Sequence, residues 1–545
     1  MKTQLLNSLA KVFPDELPDG YGLSGISALE GESVSFQLAV YPQSRSESSV
    51  SVSLNSPVAE YIKIYTVGLI PSALPCYEDT DDFLLRRTPG KYPDVLYPYT
   101  AETRLACSAW SSLWFEVCVP DSLSAGSYPV RISVSSGGEE LASHEITLTV
   151  IGAVLPAQTL LHTNWFHSDC LSTYYKAPVF SEEYWKITES FIKTAAEHGI
   201  NMLLTPIFTP PLDTQIGGER PTVQLIDVYK SGTTYSFGFE NFERFIKICL
   251  ENGIQAFEIS HLFTQWGAIA APKIMGWEKD RCKRLFGWET RAGGAKYKNF
   301  LSQLAPALNA EIDRLGIRER CHFHVSDEPG LLQVPTYRKA SKLVHEFFPG
   351  YPVMDALSDY EFFKKGLLKT PIPSENHVEP FVGNTDEFWT YYCCGQHREY
   401  VPNRFFAMPS QRNRVLGFLL YKYNAAGFLQ WGYNFWYSQY SKHEIDPFKV
   451  SDAAGAFPSG DAYVVYPGSD GSPLCSLRLK VFRDGLCDMR ALQKLEALTS
   501  REYALEVLAR GTDYELTFKA YPHEAQWLID KREEINREIA AHLSH

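Results

Sequence analysis

Downstream of Pro156 the chain alternates short apolar segments with stretches of helical period, and it keeps doing so to about residue 445. Apolar segments lie at 160–166, 201–206, 255–261, 321–325 and 352–356. Helical stretches at 181–198, 241–252, 294–315 and 334–347 separate them. Two further apolar segments, 389–393 and 428–431, flank a helical stretch at 412–425. The sixth strand has no clear signal. Alternation of this kind predicts a (β/α)8, TIM-like barrel with long loops after its strands.

Residues 1–152 have a different period. The segments 33–40, 130–134 and 146–150 alternate apolar and polar residues, with turn clusters such as Ser136-Gly137-Gly138 between them. This predicts an antiparallel β-sandwich, with Ser-rich 44–56 as an exposed edge or loop. In the tail, strands are expected at 462–466 and 476–482 around a Pro- and Gly-rich turn, then helices, the last over 524–542. The expected fold class is therefore α/β plus all-β. A β-sandwich (1–152) precedes a catalytic barrel (153–445) and a C-terminal strand-and-helix cap (446–545).

The charge balance narrows the function. With 64 acidic and 51 basic residues the net charge is −13, and no basic block exists. Nucleic acid and anionic membrane are poor partners for such a chain. No apolar run is long enough for a transmembrane helix. The first residues, MKTQLLNSLAKVFPDELPDG, are broken by polar residues and Pro14 and do not read as a signal peptide. Eleven scattered cysteines suit reduced thiols. A cytoplasmic enzyme is expected, and a homodimer is compatible with the layout.

Aromatic residues are concentrated between Phe381 and Tyr440, where Phe, Tyr and Trp make up 18 of 60 residues. Part of this is barrel packing. The rest suits a pocket with aromatic walls, against which the C–H faces of sugar rings pack.

The sharpest local feature is His324-Val325-Ser326-Asp327-Glu328-Pro329-Gly330, which ends the fourth strand of the expected barrel. Barrel active sites lie at the C-terminal ends of strands. An acidic residue before Pro also commonly opens a helix. Most glycosidases place two carboxyls on different strands, on either side of the scissile bond. Adjacent carboxyls instead approach one side of a sugar. That suits the substrate-assisted exception, in which a 2-acetamido carbonyl attacks C1. Asp327 would hold the acetamide, and Glu328 would serve as general acid and base.

These residues resemble a known family. HVSDEP, Trp389-Thr390-Tyr391, Leu429-Gln430-Trp431-Gly432-Tyr433-Asn434 and the Ser476-x-Arg478 to Arg483-Asp484-Gly485 tail are similar to the DUF4091 proteins, relatives of glycoside hydrolase family 123. The resemblance runs from about Glu30 to Leu495. It implies a β-N-acetylgalactosaminidase acting with retention through substrate assistance, with Asp327 and Glu328 as the catalytic pair.

Other strand ends supply candidate sugar-binding residues: His167, Asp169, Trp266, Asp355, Trp389, Tyr391, Trp431 and Asn434, with His324 inside the motif itself. Tyr391 can bond the acetamide carbonyl, the Trp residues can wall its methyl group, and Asp169 or Asp355 can bind hydroxyls. Core packing and helix capping are the ordinary uses of the same residue types. Arg220 and Arg404 are remoter candidates. The clusters Cys321/His322/His324 and Cys393/Cys394/His397 lack the spacing of a zinc site. No Gly-rich phosphate loop, nucleophile elbow or HExxH motif occurs. Neither metal nor organic cofactor is expected. The competing expectations are a glycosidase for β-GlcNAc or a plain hexoside, and an inactive carbohydrate-binding protein.

Overall fold

The computed structural model describes residues 1–19 and 22–543. Its N-terminal part is two stacked five-stranded sheets. Lys2–Asn7, Ser33–Tyr41, Ser111–Cys118, Ile62–Ser72 and Gly90–Pro98 form one, in that spatial order. Gly25–Glu30, Glu139–Val154, Gly126–Ser136, Ser49–Asn55 and Thr103–Arg104 form the other. Alternate residues of the two sheets meet in one apolar cluster that includes Phe36, Leu38, Leu113, Phe115, Val130, Ile132, Ile146 and Leu148. Phe36 and Phe115 sit directly opposite each other in register and stack at 4.9 Å. Two expectations need correction. Glu139–Val154 and Gly25–Glu30 pair in parallel, so the strands are not all antiparallel. The Ser-rich stretch is a loop only in part, because Ser49–Asn55 is a strand, paired with Gly126–Ser136 over Ser51–Asn55 and with Thr103–Arg104 at Ser49 and Val50 alone.

Eight short strands carry the rest of the core. Six form one parallel sheet in the order Cys321–Phe323, Ala256–Ile259, Met202–Thr205, Leu161–Asn164, Gly427–Gln430 and Trp389–Tyr391. Met354–Ala356 and Thr370–Ile372 pair in parallel with each other. Single parallel bridges, Phe323 to Val353 and Ser374 to Tyr391, tie this pair to the two ends of the six-stranded sheet. Along these strands neighbouring residues go to different clusters. Met202, Leu204, Ala256, Met354, Ala356, Trp389 and Leu429 pack together on one side. Leu203, Phe257, Ile259 and Phe323 pack on the other, with the helices. Strands buried on both faces lose the alternating polar signal, which is why they read as plain apolar runs.

The helices form where amphipathic stretches are capped. Ser181 accepts from the Tyr184 N–H and opens Glu182–Glu197, whose Tyr184, Ile187, Thr188, Phe191, Ile192 and Ala195 are buried at helical spacing. A four-stranded sheet, absent from the sequence reading, is inserted between the barrel-type strands: Asp227–Ser231, Thr234–Gly238, Ile274–Glu278 and Arg281–Phe286.

The tail requires the largest correction. Residues 476–482 are not a strand but begin the helix Leu477–Leu498, with Ser476 as its N-cap accepting from the Leu479 N–H. Its first turns are buried on every side, charged residues included. Arg478 pairs with Asp94 at 2.7 Å and Lys480 with Glu116 at 2.9 Å, both from the N-terminal sheets, and Arg483 also reaches Glu116. The alternation of charged and apolar residues thus reflects ion pairs made all around a helix, not the two faces of a strand. Gly485 of this helix meets Gly417 of Leu416–Lys422 so closely that a Cβ on Gly417 would lie 1.8 Å from the Gly485 carbonyl oxygen.

Candidate active site

The strand Cys321–Phe323 ends on a buried polar lattice that fixes the direction of the chain beyond it. The His324 ring lies between two carboxylates, Nε2 at 2.6 Å from Glu258 Oε1 and Nδ1 at 3.1 Å from Asp355 Oδ1, and all three residues are fully buried. Burial opposes a charge on the ring, but Glu258 and Asp355 together push its pKa up to about 10. Glu258 also accepts from Thr163 Oγ1 and Trp165 Nε1. Asp355 also accepts from the Val325 and Ser326 N–H groups and, at 2.5 Å, from the Tyr337 hydroxyl. The Ser326 hydroxyl donates to the Thr264 carbonyl and accepts from the Gly267 and Ala268 N–H groups.

Asp327 and Glu328 follow at once. The Trp266 N–H donates to the Asp327 carbonyl, and the Glu328 N–H to the Ala356 carbonyl. These bonds hold Glu328 at φ +41°, a left-handed backbone that a side chain rarely adopts. The two side chains open onto a cleft of about 750 Å³, measured with its mouth. Trp165, Trp266, Tyr391, Trp431, Tyr440 and Phe457 give it aromatic walls, and Asp213, Gln265, Gln439, Cys393 and Cys394 add polar groups. The Tyr391 hydroxyl donates to Glu328 Oε1 at 2.5 Å. Burial, then the neighbouring charge of Glu328, holds the Asp327 carboxyl well above the ordinary carboxylate range. Asp213 also stands high, at about 6, mainly through burial.

Of the sugar-binding candidates, Trp266, Tyr391 and Trp431 line this cleft. The others do not, and the structure gives them supporting positions instead. His324 and Asp355 belong to the lattice beneath the pair. Asp169 makes a buried two-point ion pair with Arg220. Arg220 in turn donates to the Leu212 carbonyl and to His167 Nδ1, so it anchors the 209–224 loop. Burial and the Arg220 charge bring the His167 pKa down to about 3, leaving a neutral ring that donates from Nε2 to the Trp431 carbonyl. Asn434 clasps the His167 backbone from both sides. Trp389 is buried against Gly427, where a Cβ would fall 2.2 Å from its ring. Arg404 is likewise structural, donating to Gln430 and to the Gly432 and Asp461 carbonyls.

Asp213, Gln265, Gln439, Tyr440 and Phe457 were missed by the sequence reading. They lie inside loops, and only their place after strand ends could have marked them. Their backbones carry a clearer sign: Asp213, Trp266 and Tyr440, like Glu328, have positive φ, at +37°, +56° and +61°. Among the described residues, His261, His324 and Asp355 bring possible metal-ligating atoms within 4.8 Å of one another. Both His324 nitrogens are already committed to Glu258 and Asp355, so the group does not fit an ion without dismantling the lattice.

The family model described as "Glycoside hydrolase 123, catalytic domain" matches residues 165–495. The chain belongs to glycoside hydrolase family 123. It is a glycoside hydrolase by family and therefore acts on carbohydrate. A solved family 123 glycoside hydrolase from Clostridium perfringens, reported for glycolipid glycan hydrolysis, superposes with a TM-score of 0.76 at 14% identity. The match covers 100% of this chain and 98% of that one, so the family 123 fold extends over both ends as well as the centre. A Bacteroides ovatus GH5 xyloglucanase covers 85% of this chain and 98% of its own at 9% identity, but its TM-score of 0.28 supports no comparison of folds. No curated protein sequence matches. Among the described residues, no helix is long and apolar enough to cross a membrane.

Proposed function

We propose that this family 123 protein, of the DUF4091 type, removes terminal β-linked N-acetylgalactosamine with retention, using the acetamido group of the substrate as nucleophile. The observation that carries the reading is the placement of Asp327 and Glu328 side by side, at one strand end, in an aromatic cleft with Tyr391 bonded to Glu328. The parallel strands and their two bridges support a closed (β/α)8 barrel, with the 1–152, 153–445 and 446–545 division around it.

The chemistry follows from where the pair's proton sits. Burial, then the charge of the neighbouring Glu328, favours a proton on Asp327 while the cleft is empty. An acetamide N–H is best met by an ionised Asp327, and in this reading Glu328 carries the proton in the substrate complex. The acetamido carbonyl oxygen then attacks C1 as the bond from C1 to the leaving oxygen breaks. Glu328 donates its proton to that oxygen. The oxazolinium ion that forms is positively charged, and Asp327 beside it stabilises the charge. Water next attacks C1 with Glu328 taking its proton, which reopens the ring and gives net retention.

Hydrolysis of 4-nitrophenyl β-glycosides of GalNAc, GlcNAc, galactose and glucose by the wild type and by Glu328→Gln tests the reading. It expects cleavage of acetamido sugars alone, GalNAc foremost, and loss of that activity in the variant. Cleavage of the plain hexosides would overturn it. Binding of sugars without turnover would point to an inactive carbohydrate-binding protein.

A further inference from the structure

The 209–224 loop meets the cleft at Asp213, and its geometry there is tightly specified. The Asp213 N–H donates to Gln265 Oε1 at 2.7 Å. The Tyr440 N–H donates to Asp213 Oδ2 at 2.9 Å, and the Ser441 hydroxyl to the Asp213 carbonyl at 2.7 Å. The Gln215 N–H closes the clamp on the Tyr440 carbonyl at 3.2 Å. Both Asp213 and Tyr440 are held at positive φ to make these bonds. Among the described residues, Oδ1 of Asp213 has no hydrogen-bond partner, and the residue lines the same cleft as Asp327. Its charge is one of those that hold the Asp327 proton on, so the two carboxyls are near each other in space.

A half-buried carboxylate with one oxygen clamped and the other open accepts hydrogen bonds and donates none. Within a glycosidase cleft the complementary groups are sugar hydroxyls. We propose that Asp213 is a specificity-determining residue whose free Oδ1 accepts a hydrogen bond from one ring hydroxyl of the sugar whose acetamido group lies on Asp327. This rests on the function proposed above. It adds a mechanism of discrimination: a sugar lacking that hydroxyl, or presenting it in the other orientation, covers the acceptor and leaves it unpaired.

The test is calorimetric binding of free N-acetylgalactosamine, N-acetylglucosamine and the 3-, 4- and 6-deoxy forms of N-acetylgalactosamine to the wild type, Asp213→Ala and Asp213→Asn. The expected result is a roughly 10- to 100-fold loss of wild-type affinity for one deoxy sugar, with a similar loss for the parent sugar in Asp213→Ala. That deoxy sugar should bind wild type and variant equally. Asp213→Asn retains an acceptor for the Tyr440 N–H, so it separates loss of the charge from loss of the clamp. Equal weakening of every sugar in Asp213→Ala would reduce the residue to a loop support and overturn the proposal, as would no weakening at all. Failure of the wild type to bind any acetamido sugar would overturn it together with the proposed function.

Discussion

Tyr391 and Glu328 are joined by a 2.5 Å hydrogen bond across the cleft, from the tyrosine hydroxyl to Oε1. The bond engages one carboxyl oxygen of Glu328, and the proposed function gives the other to the leaving group. Burial, then the charge of Glu328, keeps the Tyr391 hydroxyl far above its usual range, so it stays a donor at every working pH. Tyr391→Phe is expected to lower kcat about 10- to 100-fold, with a smaller change in KM, because the orientation of Glu328 matters most as the proton moves. Unchanged kcat on an activated glycoside would contradict this.

Asp327 predicts a pH-dependent effect on stability. Its folded carboxyl stands above the unfolded value, so the native state binds more protons than the unfolded one between the two. Stability from this group is therefore lost as pH rises from about 4 through the folded value. Asp327→Asn should melt higher than the wild type at pH 8 and near it at pH 4, while losing activity. A melting difference independent of pH would count against a raised Asp327.

His324 works in the opposite sense. Its pKa is raised to about 10 by Glu258 and Asp355 against the cost of burial, so its stabilisation is complete below about pH 6.5 and is lost as pH rises through 10. His324→Gln leaves at least one buried carboxylate short of its partner and should destabilise by about 3–5 kcal/mol at neutral pH. Its denaturation profile should also lack the alkaline decline that His324 gives the wild type. Equal alkaline slopes would refute a charged ring.

Trp431 is held edge-on to Phe435 and Phe457 at 5.0 and 5.3 Å, and its Nε1 donates to Asp461 at 2.9 Å. Trp431→Ala removes one apolar wall and should lower kcat/KM about 10- to 100-fold, whereas Trp431→Phe keeps most of the wall and much of the rate. Equal losses in the two variants would mean that the bond to Asp461, not the wall, is what counts.

Helices were legible where an apolar stripe met a polar face: the expected 334–347 coincides with the helix Val334–Phe347. The sixth strand, Thr370–Ile372, is three residues long with Pro371 at its centre, and nothing in so short a stretch separates it from a loop. The Asp327–Glu328 pair was visible because two adjacent acids at a strand end have few structural uses. The residues around it were harder to rank. Position after a strand shows that a side chain is near the cleft but not whether it faces the cleft or braces another residue. Asp169 and Asn434 brace, whereas Asp213 faces in. Only the Arg220 ion pair and the Tyr440 clamp tell these cases apart.

Participation of the substrate acetamide can be measured directly. A series of 4-nitrophenyl β-N-acetylgalactosaminides carrying zero to three fluorines on the acetyl methyl weakens the carbonyl oxygen as a nucleophile step by step, with little change in size. Substrate assistance with Asp327 and Glu328 predicts a steep, steady fall in kcat across the series. A flat series would contradict it and place the nucleophile on the protein.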